Sequence, residues 1–169
     1  DGKVLMTGDF NFVGGQSRIG TARVNADGSL DGAFNGESIS GRCLSLLADG
    51  KMIIGSTGAV SKSSVLYQHL FRLNTDGTLD TTFNPSPDQP VSSVAVQADG
   101  NFLIAGSFTT VGGVTRSRVA RLSANGTVDT SFNVNGVSSN PRSVALDAQG
   151  RVLLAGSFTS VGSSSRSFF

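Results

Sequence analysis

The chain has 169 residues, of which 15% are charged, and a net charge of +1. This balance sets up no long-range field for nucleic acid or an anionic membrane surface. No apolar run approaches the roughly 18 residues of a membrane-spanning helix, so no membrane insertion is expected. A hydrophobic fraction of 38% is enough to bury a core, and 22 glycines suit short strands joined by tight turns. Cys43 is the single cysteine. It excludes a disulfide-stapled scaffold and leaves the compartment open. No signal peptide precedes Val4-Leu5-Met6, which implies a removed leader or a start inside a longer protein.

In chain order, the first unit opens at the turn Asp1-Gly2, runs into an apolar strand at Val4-Leu5-Met6 and continues through Gly8 and Phe10. The second has Asp49-Gly50, a strand ending at Ile54-Gly55 and a second strand over Leu66–Phe71. The third is the clearest. Ser93–Gln97 is strand a, Asp99-Gly100 a hairpin turn expected to be type I′, and Phe102–Phe108 strand b. A loop with Gly112-Gly113 leads to strand c at Arg118–Ser123 and a tight turn at Asn125-Gly126. Val128–Phe132 reads as a short outer strand d, or an extended turn anchored by Phe132. The fourth unit repeats strand b as Val152–Ala155 and stops at Phe168-Phe169, inside its strand c.

Three sets of markers recur in step. Asp1-Gly2, Asp49-Gly50, Asp99-Gly100 and Gln149-Gly150 are separated by 48, 50 and 50 residues. Asp27-Gly28, Asp76-Gly77 and Asn125-Gly126 are each 49 apart. Leu30-Asp31 with Phe34, Leu79-Asp80 with Phe83, and Val128-Asp129 with Phe132 follow them. A unit of about fifty residues with four short antiparallel strands is a β-propeller blade. Helical repeats fail for want of a 3.6-residue period, and leucine-rich solenoids have shorter units. A β-sandwich has no reason to repeat side chains at this spacing. The expected fold is all-β, a propeller segment with two complete blades over 39–84 and 90–133. Partial blades flank them at 1–36 and 142–169.

Strand b is apolar on both faces, as stacked blades require. The glycine after it is aligned as Gly8, Gly55, Gly106 and Gly156, and Thr57 stands where Phe10 and Phe108 are expected. The second unit also lacks the Gly-Gly pair, and the fourth reads Gly162-Ser163. A closed ring usually needs at least four blades, and open blade edges are aggregation hazards. Further blades of a parent chain, or a second chain, are therefore expected to complete the ring.

The segments Asp49-Gly50-Lys51 through Ile54-Gly55, and Arg72-Leu73-Asn74-Thr75-Asp76-Gly77-Thr78-Leu79-Asp80 to Phe83-Asn84, resemble the delta-60 repeat family of β-propeller domains. The resemblance covers essentially the whole chain. It implies a module of a large bacterial protein, extracellular or on the cell surface, with no general enzymatic activity.

Asn25, Asp27, Gly28 and Asp31 sit like the middle of a calcium-binding loop. The first and twelfth ligand positions would be Arg23 and Phe34, so turn capping is the better explanation. Arg23, Arg72 and Arg121 each lie eight residues before Asp31, Asp80 and Asp129, which predicts an Arg–Asp tie in every blade. Arg42 and Arg142 occupy equivalent positions just before strand a, with Ser92 between them. There they would ring one mouth of the channel, as candidate ligand contacts.

No catalytic, cofactor or metal residues are assigned. His69 is the single histidine, expected to be buried and satisfied, and Glu37 the single glutamate. Nothing in the spacing pairs Glu37 with Asp9, Asp88 or Asp147 for glycoside hydrolysis. Gly112-Gly113 has neither the lysine nor the helix of a phosphate loop. The expected function is a non-enzymatic binding or scaffold module for a protein or glycan, without nucleic acid. Its surface is expected at the b–c loops (11–17, 57–64 and 109–117) and the crossings between blades. The alternative is a glycan-active propeller enzyme whose catalytic residues lie in blades not present here.

Overall fold

A computed structural model describes residues 1–165; Phe168-Phe169 and the end of the fourth unit's expected strand c lie outside the described residues. The structure is all-β, built from antiparallel pairs repeated four times. The first unit contains β1 (Val4–Thr7), β2 (Phe12–Val13), β3 (Gln16–Ser17) and β4 (Thr21–Val24). The second contains β5 (Gly41–Leu46), β6 (Met52–Lys62) and β7 (Val65–Leu73). The third has β8 (Val91–Val96), β9 (Phe102–Gly106), β10 (Thr110–Val111), β11 (Val114–Thr115) and β12 (Val119–Leu122). The fourth has β13 (Pro141–Leu146), β14 (Val152–Gly156), β15 (Ser160–Val161) and β16 (Ser164–Ser165).

In the two complete blades the order is a-b-c, as β5-β6-β7 and β8-β9-β12. The outer strand d shrinks to one bridge per blade, at Leu73↔Leu79 and Leu122↔Val128, with a counterpart at Val24↔Leu30 in the first blade. Position d is thus the extended turn anchored by phenylalanine. Once Phe83 and Phe34 are buried, the chain has left the ladder and begun its crossing.

The register corrects the repeat alignment. Gly106 pairs with Val91, Gly156 with Pro141 and Ser56 with Gly41, whereas Gly55 pairs with Cys43. Ser56, not Gly55, therefore matches Gly106 and Gly156, and Gly58 rather than Thr57 falls where Phe108 stands. The strand of the second blade can continue because β6 makes a bulge between Gly55 and Ala59 and then pairs on to Lys62↔Val65.

The turn chemistry also differs from expectation. At Asp99-Gly100 only the glycine has positive φ, +83°. Gly100 N–H donates to Gln97 O and Gln97 N–H to Asn101 O, at 3.0 and 2.8 Å. This is a type I turn closed by a glycine bulge. The Asp99 carboxylate selects it by accepting the Asn101 N–H at 3.0 Å, which an aspartate does best just before the bulge. Two-residue turns with both central φ positive occur in the b–c segments instead, at Gly14-Gly15, Ser63-Ser64 and Gly112-Gly113. These segments, expected as loops, are tight hairpins: β2–β3, the far end of β6–β7, and β10–β11.

The core lies between blades. Phe34, Met52, Ile54 and Phe71 fill the first interface, and Ile53, Phe83, Phe102 and Ile104 the second. Leu103, Ala105 and Val144 lie at the third. Strand b therefore buries both faces only in the middle blades. Every residue of β9 is buried, while β1 and β14 are half-exposed. Along the axis, serines tie neighbouring a strands. Ser45 Oγ donates to Val94 O at 3.1 Å, Ser92 Oγ to Pro141 O at 2.9 Å, and Val144 N–H donates to Ser93 Oγ at 3.1 Å.

Candidate functional site

Antiparallel pairing sorts each blade into two edges. One edge carries the a–b and c–d turns. The other carries the start of strand a, the end of strand b, the b–c hairpin and the crossing.

At the c–d edge the recurring residues form a lock. Arg72 Nε donates to Asp80 Oδ2 at 2.9 Å, its Nη1 donates to Ala124 O of the next blade at 2.6 Å, and its guanidinium lies 4.6 Å from the Phe83 ring centre. Arg23 repeats the set with Asp31 at 2.7 Å, Thr75 O at 2.7 Å and Phe34 at 4.9 Å. Arg121 makes the ion pair with Asp129 at 2.7 Å and covers Phe132 at 4.8 Å. The expected Arg–Asp tie is present in all three places, and it is also a clamp between blades. Phe83 lies beneath Gly126, where an added Cβ would come within 2.9 Å of the ring at a φ of +92°. A side chain there has neither the space nor the backbone conformation.

These contacts hold the aspartates as anions. Hydrogen bonds from Lys3 and then Arg23 lower the Asp31 pKa to about 2. Ser131 and then Arg121 lower that of Asp129 to about 2. For Asp80, burial pushes upward, but the bonds from Lys51 and Thr82 outweigh it and the carboxyl lies well below its usual range. The calcium-like pattern is spent in the same way. Asp31 faces two cations, and Asp27 Oδ1 accepts the Ser29 N–H at 2.9 Å.

The opposite edge is arranged differently. Arg42 and Arg142 lie inside β5 and β13 rather than ahead of them, each second in its strand. The bulges between Gly41 and Cys43 and between Pro141 and Ser143 leave Arg42 and Arg142 out of the ladder. Both side chains are exposed, and both line one cleft of about 700 Å³ together with Ser92. Thr57, Ser107 and Ser157, from the ends of strand b, line it as well, with Ser139 and Asn140 of the last crossing. Among the described residues no carboxylate lines this cleft. The hydroxyl of Ser92 is already committed to Ala105 O and Pro141 O, so Ser92 is a strut.

The b–c hairpins are pinned from this edge. Asp88 of the preceding crossing accepts the N–H groups of Thr109 and Thr110 at 2.8 and 2.9 Å and the Thr109 hydroxyl at 2.6 Å. Ser138 does the same for Thr159 and Ser160 one blade later. In the second blade Glu37 pairs with Lys62 near the hairpin tip and accepts the Leu79 N–H.

A family model for a β-propeller domain of unknown function (DUF5122) matches residues 1–34, 47–83 and 97–132. The chain belongs to this β-propeller family. The matched segments run from the a–b turn to the anchoring phenylalanine, so the lock is what the propeller family repeats. Arg42, Ser92, Asn140 and Arg142 all fall outside them. No curated protein matches the chain closely enough to be compared with it.

Two residues of this propeller depart from expectation. His69 is only partly buried, and its buried Nδ1 has no hydrogen-bond partner among the described residues. It takes a left-handed φ of +59° at the position held by Gly20 and Arg118 in the neighbouring blades. Burial pushes its pKa down. Tyr67 replaces Arg116 of the third blade. Its hydroxyl donates to Thr81 O at 3.1 Å, where Arg116 Nη2 donates to Thr130 O, also at 3.1 Å. Cys43 is partly buried, and desolvation raises its thiol pKa to about 11, which disfavours the reactive thiolate.

Proposed function

We propose that the chain is a non-enzymatic binding or scaffold module of a larger secreted or surface-exposed bacterial protein. In this reading it presents ligand-contacting side chains at the edge of the crossings and b–c hairpins. One observation carries it. Each recurring arginine is consumed by the lock, whereas Arg42 and Arg142 have no side-chain partner among the described residues and face one cleft. Free guanidiniums on a braced scaffold can take a ligand without first breaking an internal ion pair. The likeness of the repeats to the delta-60 type supports the placement in a large extracellular or cell-surface protein.

Apolar side chains at the same edge extend the surface. Phe12 is 68% and Leu66 50% exposed, both on b–c hairpins. The test is a combined glycan and protein array probed with the wild-type chain and with Phe12→Ser, Leu66→Ser, Arg42→Ala and Arg142→Ala. Binding that falls with these substitutions supports the module. Turnover of an arrayed glycan points instead to a glycan-active enzyme, and binding indifferent to every substitution refutes the surface.

A further inference from the structure

The axial cleft is rich in hydrogen-bond donors and is lined by no acid among the described residues. Arg42 and Arg142 each bring five N–H donors and a fixed positive charge. Asn140 adds more, because its orientation is set from behind. Arg118 Nε donates to Asn140 Oδ1 at 3.0 Å, and Arg118 Nη1 donates to Val137 O at 2.8 Å. With its oxygen occupied, Asn140 has its amide N–H groups left for the cleft it lines. Asp88, in the crossing before the third blade, has its carboxylate occupied by Thr109 and Thr110. A cavity of about 700 Å³ falls within the roughly 300–1,000 Å³ of small-molecule sites.

We propose that this cleft binds an acidic saccharide, its carboxylates held by Arg42 and Arg142 and its hydroxyls by Asn140, Thr57, Ser107, Ser139 and Ser157. The proposal rests on the binding-module reading and names its ligand. The two arginines come from the second and fourth blades, on either side of Ser92 in the third. The matching ligand therefore carries more than one acid group, spaced along a chain. A guanidinium fork suits a carboxylate because two parallel bonds form at once. An acidic peptide fits less well. Arginine clusters do recognise acidic peptide motifs, but acidic side chains would leave the hydroxyls of Thr57, Ser107, Ser139 and Ser157 without the hydroxyl partners a saccharide brings. Among the described residues the cleft's apolar lining is limited to Gly106 and the prolines Pro90 and Pro141.

The test is calorimetric titration of the protein with an oligogalacturonate, its methyl-esterified form and an oligoglutamate of matching length. The oligogalacturonate is expected to bind and the ester not to. Arg42→Ala and Arg142→Ala should each weaken binding by about tenfold or more, as loss of a charged hydrogen-bonding group does. Arg42→Lys should recover only part, since it keeps charge without the fork. Their melting temperatures should equal wild type, because neither side chain has a partner to lose among the described residues. Equal binding of the ester, tighter binding of oligoglutamate, or no response at millimolar ligand overturns the assignment. Array ligands that depend on Phe12 or Leu66 and ignore both arginines would overturn it too, while leaving the binding module standing.

Discussion

Arg72 and Arg42 belong to the same blade and have opposite surroundings. The Arg72 side chain is 12% exposed and spends its donors on Asp80 and the next blade's Ala124 O. Arg42 is exposed, lies on a bulge and has no side-chain partner among the described residues. The contrast holds for the two edges as a whole. The c–d edge repeats its charges because each blade must grip the next. The crossing edge is braced one crossing at a time by Asp88, Ser138, Glu37 and Arg118, which leaves Arg42 and Arg142 without a side-chain partner among the described residues.

The comparison breaks most sharply at the lock's aromatic. Phe83 is fully buried between the second and third blades, so Phe83→Ala should cost about 3–5 kcal/mol in denaturant titration. Phe132 is only half-buried, and its alanine variant should cost clearly less. Equal losses would mean that stacking between blades is not what anchors these rings.

Arg72→Ala removes the ion pair, the clamp on Ala124 O and the cover over Phe83. It should destabilise by about 2 kcal/mol, with Lys51 still neutralising Asp80. An unchanged melting temperature would count against the lock. Glycine substitutions sharpen the same point. Gly126→Ala places a methyl group against Phe83 at positive φ, whereas at Gly28 the added atom meets open space at φ +82°. The second should cost only the backbone strain, about 1 kcal/mol, and the first visibly more.

Acid tests the lock as a set. The carboxyls of Asp31 and Asp129, with an ordinary value of 3.8, titrate at about 2 in the folded chain. As pH falls the unfolded chain takes up protons first. The contribution is complete above about pH 5 and drains away between about pH 4 and 2. Asp129→Asn should flatten that part of the pH–stability curve. The smallest effect belongs to the other edge: Arg42→Ala should leave stability within about 0.5 kcal/mol of wild type.

Much of this was legible in the residues. The fifty-residue period, the Arg–Asp tie and the phenylalanine anchor are chemical requirements of one blade, and they recur because the blade recurs. The type of turn was misread at Asp99-Gly100 because a local preference for positive φ yields to the Asx hydrogen bond that Asp99 makes. Gly55 was matched to the wrong neighbours because a bulge lengthens β6, and a bulge shows itself in the ladder, not in composition. Tyr67 doing the work of Arg116 was invisible, since unlike side chains can satisfy the same carbonyl.

The amino-acid order alone was sufficient for the unit, its period and its internal ion pair, because those rest on contacts within about fifty residues. Three-dimensional stacking settled the remainder. It made the Arg–Asp pair into a clamp that reaches Ala124 from Arg72, buried Phe83 beneath Gly126, and brought Arg42 and Arg142, a hundred residues apart, to one cleft. Those relations depend on how blades rotate and press on one another, and no local pattern encodes that rotation.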